Sequence, residues 1–340
     1  MFIFQDFKQF VLDCLYHSFK CYNSLSEKGA SMKKKFKILT IIFLIILIIT
    51  ITSLTFYMYN FAFVPGNKSF VPHTGQDNPV NLKASQWLKS TQKQEWHEKS
   101  ATDNLKLNAY YIPAQKETPK TIIIAHGYLG KKEDMARYMQ MYHELGYNVL
   151  APDDRGAGTS EGNYIGFGWP DRLDYVKWID KVIEYNGQES QITLFGVSMG
   201  GATVMFTAGE KLPSQVKAVI EDCGYSSISS ELTYQLKEMF HLPKFPLVYT
   251  TQFLVQARAH YNFGEADATK ALSRSTLPIF IIHGAEDKFV PTKMAEENFK
   301  AAHSPKELWI VPKAQHAQSY IVKPEQYKQR TADFLNKYMK

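Results

Sequence analysis

The stretch Leu194-Phe-Gly-Val-Ser198-Met-Gly-Gly201 follows the β-leaning Gln191-Ile-Thr193 and runs into the helix-friendly Ala202-Thr-Val-Met-Phe206. A serine hydroxyl is a poor nucleophile until it is lifted clear of the backbone and given a base, and a tight strand-to-helix turn does the lifting. Gly196 and Gly200 suit such a turn, because a side chain at either position would collide with the neighbouring strand or helix. Gly-x-Ser-x-Gly alone is weak, since at ordinary residue frequencies it should arise by chance in roughly one chain in ten of this length. The rest of the chain has to decide what this turn is.

Upstream and downstream, short apolar runs bounded by turn residues alternate with amphipathic stretches. The runs are Leu105–Ile112, Thr121–Ala125, Asn148–Ala151, Gln191–Phe195, Lys217–Ile220, Leu277–Ile282 and Leu308–Val311; the stretches include Asp171–Tyr185 and Ala202–Glu210. This alternation implies right-handed βαβ units and a mostly parallel sheet, whose sites form beyond the carboxyl ends of the strands. Polar residues sit at those ends here. His283-Gly-Ala-Glu-Asp287 follows one run and Ala314-Gln-His316 follows the next, so serine, acid and histidine come in that order, each just past a strand. Glu221 and Asp222, after the sixth strand, are alternatives for the acid, and Asp287 is preferred. His126 and His283, each preceding a glycine, read as structural. Asp154 and Arg155 read as organising their own loop through an ion pair and hydrogen bonds, with a direct substrate role as the alternative.

With these motifs assembled, residues 82–340 resemble the α/β-hydrolase superfamily. His126-Gly-Tyr128 is similar to its oxyanion loop, Asp154-Arg-Gly-Ala-Gly-Thr-Ser-Glu-Gly162 to the loop after its fourth strand, and Gly196-Val-Ser-Met-Gly200 to its nucleophile elbow. The subset it looks most like is the membrane-tethered or secreted bacterial serine esterases and serine aminopeptidase-like hydrolases. The resemblance implies the backbone N–H groups of Tyr128 and Met199 as oxyanion donors. It also implies Ser198 as nucleophile, His316 as general base and Asp287 as the residue orienting the imidazole. The expected fold is thus α/β, an α/β-hydrolase sheet with flanking helices, a small helical cap and one preceding transmembrane helix. Substrate-binding residues are not legible.

The 340 residues carry a net charge of +6, but the first 60 hold seven lysines against Asp6, Asp13 and Glu27, which leaves only +2 beyond them. That near-neutral balance offers no electrostatic case for nucleic acid. Ile38–Tyr59 holds no charged residue, enough to span a bilayer as a helix, and Lys33, Lys34, Lys35 and Lys37 precede it. The positive-inside rule then puts the N-terminus in the cytoplasm and the rest outside the cell membrane. A cleaved signal peptide is the alternative, although the run exceeds a usual signal h-region and no Ala-x-Ala site follows. Met32-Lys-Lys-Lys-Phe-Lys reads like the start of a membrane-targeted protein, and Lys28-Gly-Ala-Ser31 is codable by a purine-rich ribosome-binding sequence. Residues 1–31 are therefore expected to be an untranslated extension, which peptides from before Met32 in the native host would refute.

The remaining organisation follows from composition. Residues 32–59 form the Lys-rich start and anchor, and 60–81, with Pro65, Gly66, Pro72, Gly75 and Pro79, read as a stalk. Residues 82–340 form the hydrolase domain, with a cap insertion at about 224–272. The insertion has two expected helices, Ser230–His241 and Leu247–Tyr261, and carries Phe240, Phe245, Tyr249, Phe253, Tyr261 and Phe263, which read either as an apolar cap over the strand ends or as packing of these helices onto the sheet. Three cysteines, two before the span and one after it, exclude a disulfide framework. No His-Glu-x-x-His, Cys-x-x-Cys or phosphate-loop ending is present, so no metal and no cofactor are expected. The expected partners are a small-molecule or lipid-like acyl substrate and the membrane. Activity is expected to fall in acid as His316 takes up a proton. The same residues would serve amide or peptide cleavage or acyl transfer, and a binding protein on a retired hydrolase fold is a further alternative.

Overall fold

The computed structural model describes Asp13, Ala30–Gly66, Lys68 and Asn78–Lys340; the reading of residues 1–31 lies almost entirely outside them. The chain divides into two compact units, Met1–Phe61 with Leu232–Leu254, and Ala62–Glu231 with Val255–Lys340.

The larger unit is built on an eight-stranded sheet. Its strands are β1 (Gln94–Lys99), β2 (Lys106–Ile112), β3 (Lys120–Ala125), β4 (Asn148–Pro152), β5 (Gln191–Val197), β6 (Val216–Asp222), β7 (Ile279–Gly284) and β8 (Lys306–Val311). They lie in the order β1-β2-β4-β3-β5-β6-β7-β8. β1 and β2 run antiparallel to their neighbours, and every pairing from β4 through to β8 is parallel. β3 and β5 are buried on both faces, as central strands of a covered parallel sheet must be. On one face Ile122 and Ile124 of β3 join Phe195 and Phe280 in a core closed by helices Pro79–Ser90, Ala136–Glu144 and Pro324–Tyr338. Helices Asp171–Asn186, Met199–Ala208, Ala268–Arg274 and Thr292–Ala301 pack side by side in turn.

β1 has no counterpart in the sequence reading. Its segment, Gln-Glu-Trp-His-Glu-Lys, buries only Trp96, which stacks on Tyr111 of β2 with ring centroids 4.2 Å apart. Charged side chains along an outer strand discourage pairing with other chains, and they also hide the strand from a hydrophobicity count.

In the smaller unit, helix Ala30–Phe63 is long and apolar enough to cross a membrane by length and composition. Leu232–Leu254 packs with it: the Thr55 and Thr250 hydroxyls are 2.7 Å apart, and Phe240 meets Tyr57 and Phe61 edge to face. The stalk expected at residues 60–81 needs correction in its first residues, since 67 and 69–77 lie outside the described set. Phe63 is fully buried between Phe167 and Phe263, and its carbonyl accepts the Ile165 N–H at 2.7 Å. The Ala62 carbonyl accepts the Tyr128 hydroxyl, also at 2.7 Å. Pro65 and Gly66 resemble linker composition, but the aromatic ring beside them decides the local structure.

Candidate active site

β5 ends in the turn that the glycines permit. Ser198 has φ 58° and ψ −119°, an unusual conformation for a residue with a side chain, and it caps helix Met199–Ala208. A Cβ on Gly196 would come within 2.0 Å of the Gly200 carbonyl oxygen, and one on Gly200 within 2.2 Å of the Ala125 carbonyl oxygen. Both glycines are therefore required for β5, the helix and β3 to meet. The Ser198 N–H donates to the Asp222 carbonyl at 2.8 Å, which ties the turn to β6.

Three side chains from three strand ends converge there. Ser198 Oγ lies 2.9 Å from His316 Nε2, and His316 Nδ1 lies 2.7 Å from Asp287 Oδ2. A proton on Nδ1, donated to Asp287, leaves Nε2 free to accept the serine hydroxyl. All three residues are nearly buried, and the Phe289 ring packs against the imidazole with centroids 4.9 Å apart.

Asp287 is the most heavily supported of them. Its Oδ1 accepts the N–H groups of Phe289 and Val290 at 2.9 Å each, and its Oδ2 lies 3.3 Å from His283 Nε2. Burial pushes this carboxyl up, but the hydrogen bonds from His283 and His316 outweigh burial and hold it well below the usual carboxylate range. His283 also donates to the Val290 carbonyl at 2.9 Å. Burial disfavours its charged form, while the hydrogen bond and charge of Asp287 more than compensate and raise it. His283, structural by its place before a glycine, thus braces the acid, and its four-residue spacing from Asp287 is the sequence signal for that role.

The two alternative acids do not replace it, since Asp287 already occupies His316 Nδ1. Asp222 accepts hydrogen bonds from Ser319 and Tyr327 at 3.1 and 3.0 Å, and Glu221 accepts the Gly224 N–H at 2.7 Å. Cys223, next in the chain, brings its sulfur within 4.8 Å of the Asp287 and His316 ligand atoms. Burial pushes its thiol well up.

The loop after β3 is pinned on both sides. His126 Nε2 accepts the Asp154 N–H at 3.0 Å, so its proton resides on Nδ1 and is donated to the Gly127 carbonyl at 2.8 Å. Gly127 packs against Ser198, and Tyr128 turns its ring onto Phe167 and its hydroxyl onto Ala62. Lys68 donates to that same hydroxyl at 3.0 Å, and burial pulls the Lys68 ammonium down to about 8. The ion pairs and hydrogen bonds that organise the loop of Asp154 and Arg155 run to other residues rather than between these two. Arg155 grips Asp174 with two hydrogen bonds, 2.6 and 2.9 Å, and also reaches Asp103, while Asp153 pairs with Lys132. Asp154 instead accepts the Tyr175 hydroxyl at 3.0 Å, and burial pushes it up to about 8. A cavity of about 370 Å³ opens beside Met199, lined among others by His126, Asp154, Ile165, Pro65 and Gly66.

The model of the α/β-hydrolase fold family matches residues 120–275. The Bacillus subtilis protein YqkD, itself uncharacterized, is 28% identical over 230 residues, which span 68% of this chain and 75% of YqkD. Among solved structures, the Pyrococcus furiosus esterase Pf2001 superposes with a TM-score of 0.60 at 22% identity, covering 82% of this chain and 98% of the esterase. The Pyrococcus horikoshii acylaminoacyl peptidase does so with a TM-score of 0.54 at 17% identity, covering 75% of this chain and 43% of the peptidase. The sheet order, the glycine-enforced turn after β5 and the family match over residues 120–275 agree on the α/β-hydrolase fold.

Proposed function

We propose that this protein is a serine hydrolase that cleaves carboxylic esters through an acyl-enzyme, held at the cell membrane by its N-terminal helix with the catalytic unit outside. The observation that carries the chemistry is the continuous chain of contacts from Ser198 through His316 to Asp287, at 2.9 and 2.7 Å. His316 takes the Ser198 proton as Oγ bonds to the acyl carbon, then returns it to the departing alcohol. Asp287 holds the imidazole in the needed tautomer and stabilises the imidazolium. The carbonyl oxygen gains charge in the tetrahedral intermediate, and the N–H groups of Met199 and Tyr128 are the donors assigned to it. One such donor is worth about 3 kcal/mol. Met199 opens a helix, whose N-terminal dipole favours negative charge at that point. Water then repeats the sequence on the acyl-enzyme, with His316 activating it, and releases the acid.

The full-length protein in detergent should label with a fluorophosphonate probe, and Ser198→Ala should not label while remaining folded. A Ser198→Ala protein that kept substantial esterase turnover would overturn the assignment. Comparing p-nitrophenyl esters with p-nitroanilides of the same acyl groups separates ester from amide preference. The reading of the helix as a retained anchor draws support from the burial of Phe63 at its last position, which ties the end of the apolar run to the folded chain. Protease added to intact cells should digest the catalytic unit; protection until lysis would reverse the topology.

A further inference from the structure

Outside the apolar span, the exposed large hydrophobic side chains among the described residues are Leu82, Tyr185, Phe245, Tyr249 and Phe253. Three of the five fall within nine residues of one another, at a spacing of four. Phe245 is 73% exposed, Tyr249 53% and Phe253 75%. Side chains four apart lie on one side of a helix, and Tyr249 and Phe253 belong to helix Leu247–Ala259, with Phe245 just before it. The Phe245 and Tyr249 rings are 6.2 Å apart, and Lys244 lies over the Tyr249 ring at 5.4 Å. Leu247, Val248 and Thr251 are buried on the other side of the same segment. Packing is satisfied there, so the aromatic stripe needs a different account.

The level of this stripe relative to the apolar span can be read within the smaller unit. Thr250, next to Tyr249, meets Thr55 at 2.7 Å. Thr55 lies four positions before Tyr59, the end of the apolar run, which at 1.5 Å per residue is only about 6 Å along the helix axis. A run of 22 residues is roughly 33 Å long, close to the hydrocarbon thickness of a bilayer. Thr250 is therefore at the depth where acyl chains give way to headgroups. A tyrosine ring with one wet and one greasy end favours that depth, phenylalanine rings bury at the acyl boundary, and a lysine beside them suits anionic headgroups. The span itself carries Phe56 and Tyr57, both exposed, at the same level.

We propose that Phe245, Tyr249 and Phe253 form a membrane-docking edge, inserted into the headgroup and acyl boundary of the bilayer that the N-terminal helix crosses. The occupant is lipid, and the proposal rests on reading that helix as a retained anchor. The stripe, the Thr55–Thr250 contact and the span act as one membrane-bound element, so that Leu232–Leu254 stays at the interface.

Spin labels on single cysteines test this in the full-length chain with Cys14→Ser and Cys21→Ser, reconstituted in phosphatidylcholine vesicles containing phosphatidylglycerol. Labels are placed at Phe245→Cys, Tyr249→Cys and Phe253→Cys, with Ile45→Cys in the span and Glu189→Cys on the larger unit as references. Collision with oxygen should exceed collision with a water-soluble nickel complex at the three aromatic positions and at Ile45→Cys, with the reverse at Glu189→Cys. Nickel-dominated collisions at the aromatic positions, with Ile45→Cys still in lipid, would overturn the proposal alone. Protection from both reagents would overturn it in favour of a protein partner such as a second copy. A nickel-accessible Ile45→Cys would remove the anchor reading beneath it.

Discussion

Strands β6 and β7 lie side by side, and each delivers acid groups to the same end of the sheet, yet their carboxyls are held in opposite states. Asp287, past β7, collects two main-chain N–H donors and two imidazoles, and stays ionised in spite of burial. Glu221, at the end of β6, has a single N–H on one oxygen and nothing on Oε1, and burial pushes it up to about 8. Asp222 is intermediate, pushed up by burial to about 6 despite hydrogen bonds from Tyr327 and Ser319. A strand end gives an acid its place, while the number and charge of its donors decide whether it carries a charge to the histidine.

This contrast is broken most directly at Asp287. Asp287→Asn should lower ester turnover by about 10⁴-fold, because the amide no longer selects the tautomer or offsets the imidazolium. Glu221→Gln, measured in parallel, should leave kcat within a few-fold. A larger loss from Glu221→Gln than from Asp287→Asn would invert the comparison. Tyr327→Phe strips Asp222 of one of its two hydroxyl partners without approaching His316. It should cost about 1–3 kcal/mol in urea unfolding and little turnover; a large kcat loss with unchanged stability would place Asp222 in the catalytic machinery instead.

The smallest effect concerns pH. Between its ordinary value of 4.5 and about 8, Glu221 holds a proton in the folded chain that the unfolded chain releases. Stability should then fall as pH rises through that window. Asp154 contributes in the same direction, so Glu221→Gln should flatten only part of the decline in the urea midpoint between about pH 5 and about pH 8. An unchanged slope would mean that Glu221 is ionised in the fold.

Much of the sheet is readable because each central strand is a short apolar run bounded by turn or polar residues. The order serine, acid, histidine was equally open to reading, and the side chains of Ser198, Asp287 and His316 do meet. Contacts set by helix register were hidden. Arg155 is adjacent in sequence to Asp154, but the turn of helix Asp171–Asn186 brings Asp174 to it, and no local pattern announces a pair 19 residues apart. β1 was hidden by its charges, and His283 by looking like any buried histidine. The stalk was misread at its start because proline and glycine dominate the composition, whereas one buried ring dominates the energetics.

That ring, Phe63, has a bearing on how this protein could be shed from a cell. Its side chain sits in the larger unit between Phe167 and Phe263, while its backbone is the last residue of the apolar helix. If the helix is the anchor proposed above, a protease cutting after Phe63 would leave the plug behind in the membrane. The liberated portion would lose a fully buried aromatic, a loss on the order of 3–5 kcal/mol when a core phenylalanine is truncated. It would also lose the carbonyl that holds the Tyr128 hydroxyl. Cleavage before Ala62 would spare both. Two soluble forms differing by a few residues at their new N-terminus would therefore behave as unequal proteins, one compact and one weakened beside its Tyr128 loop.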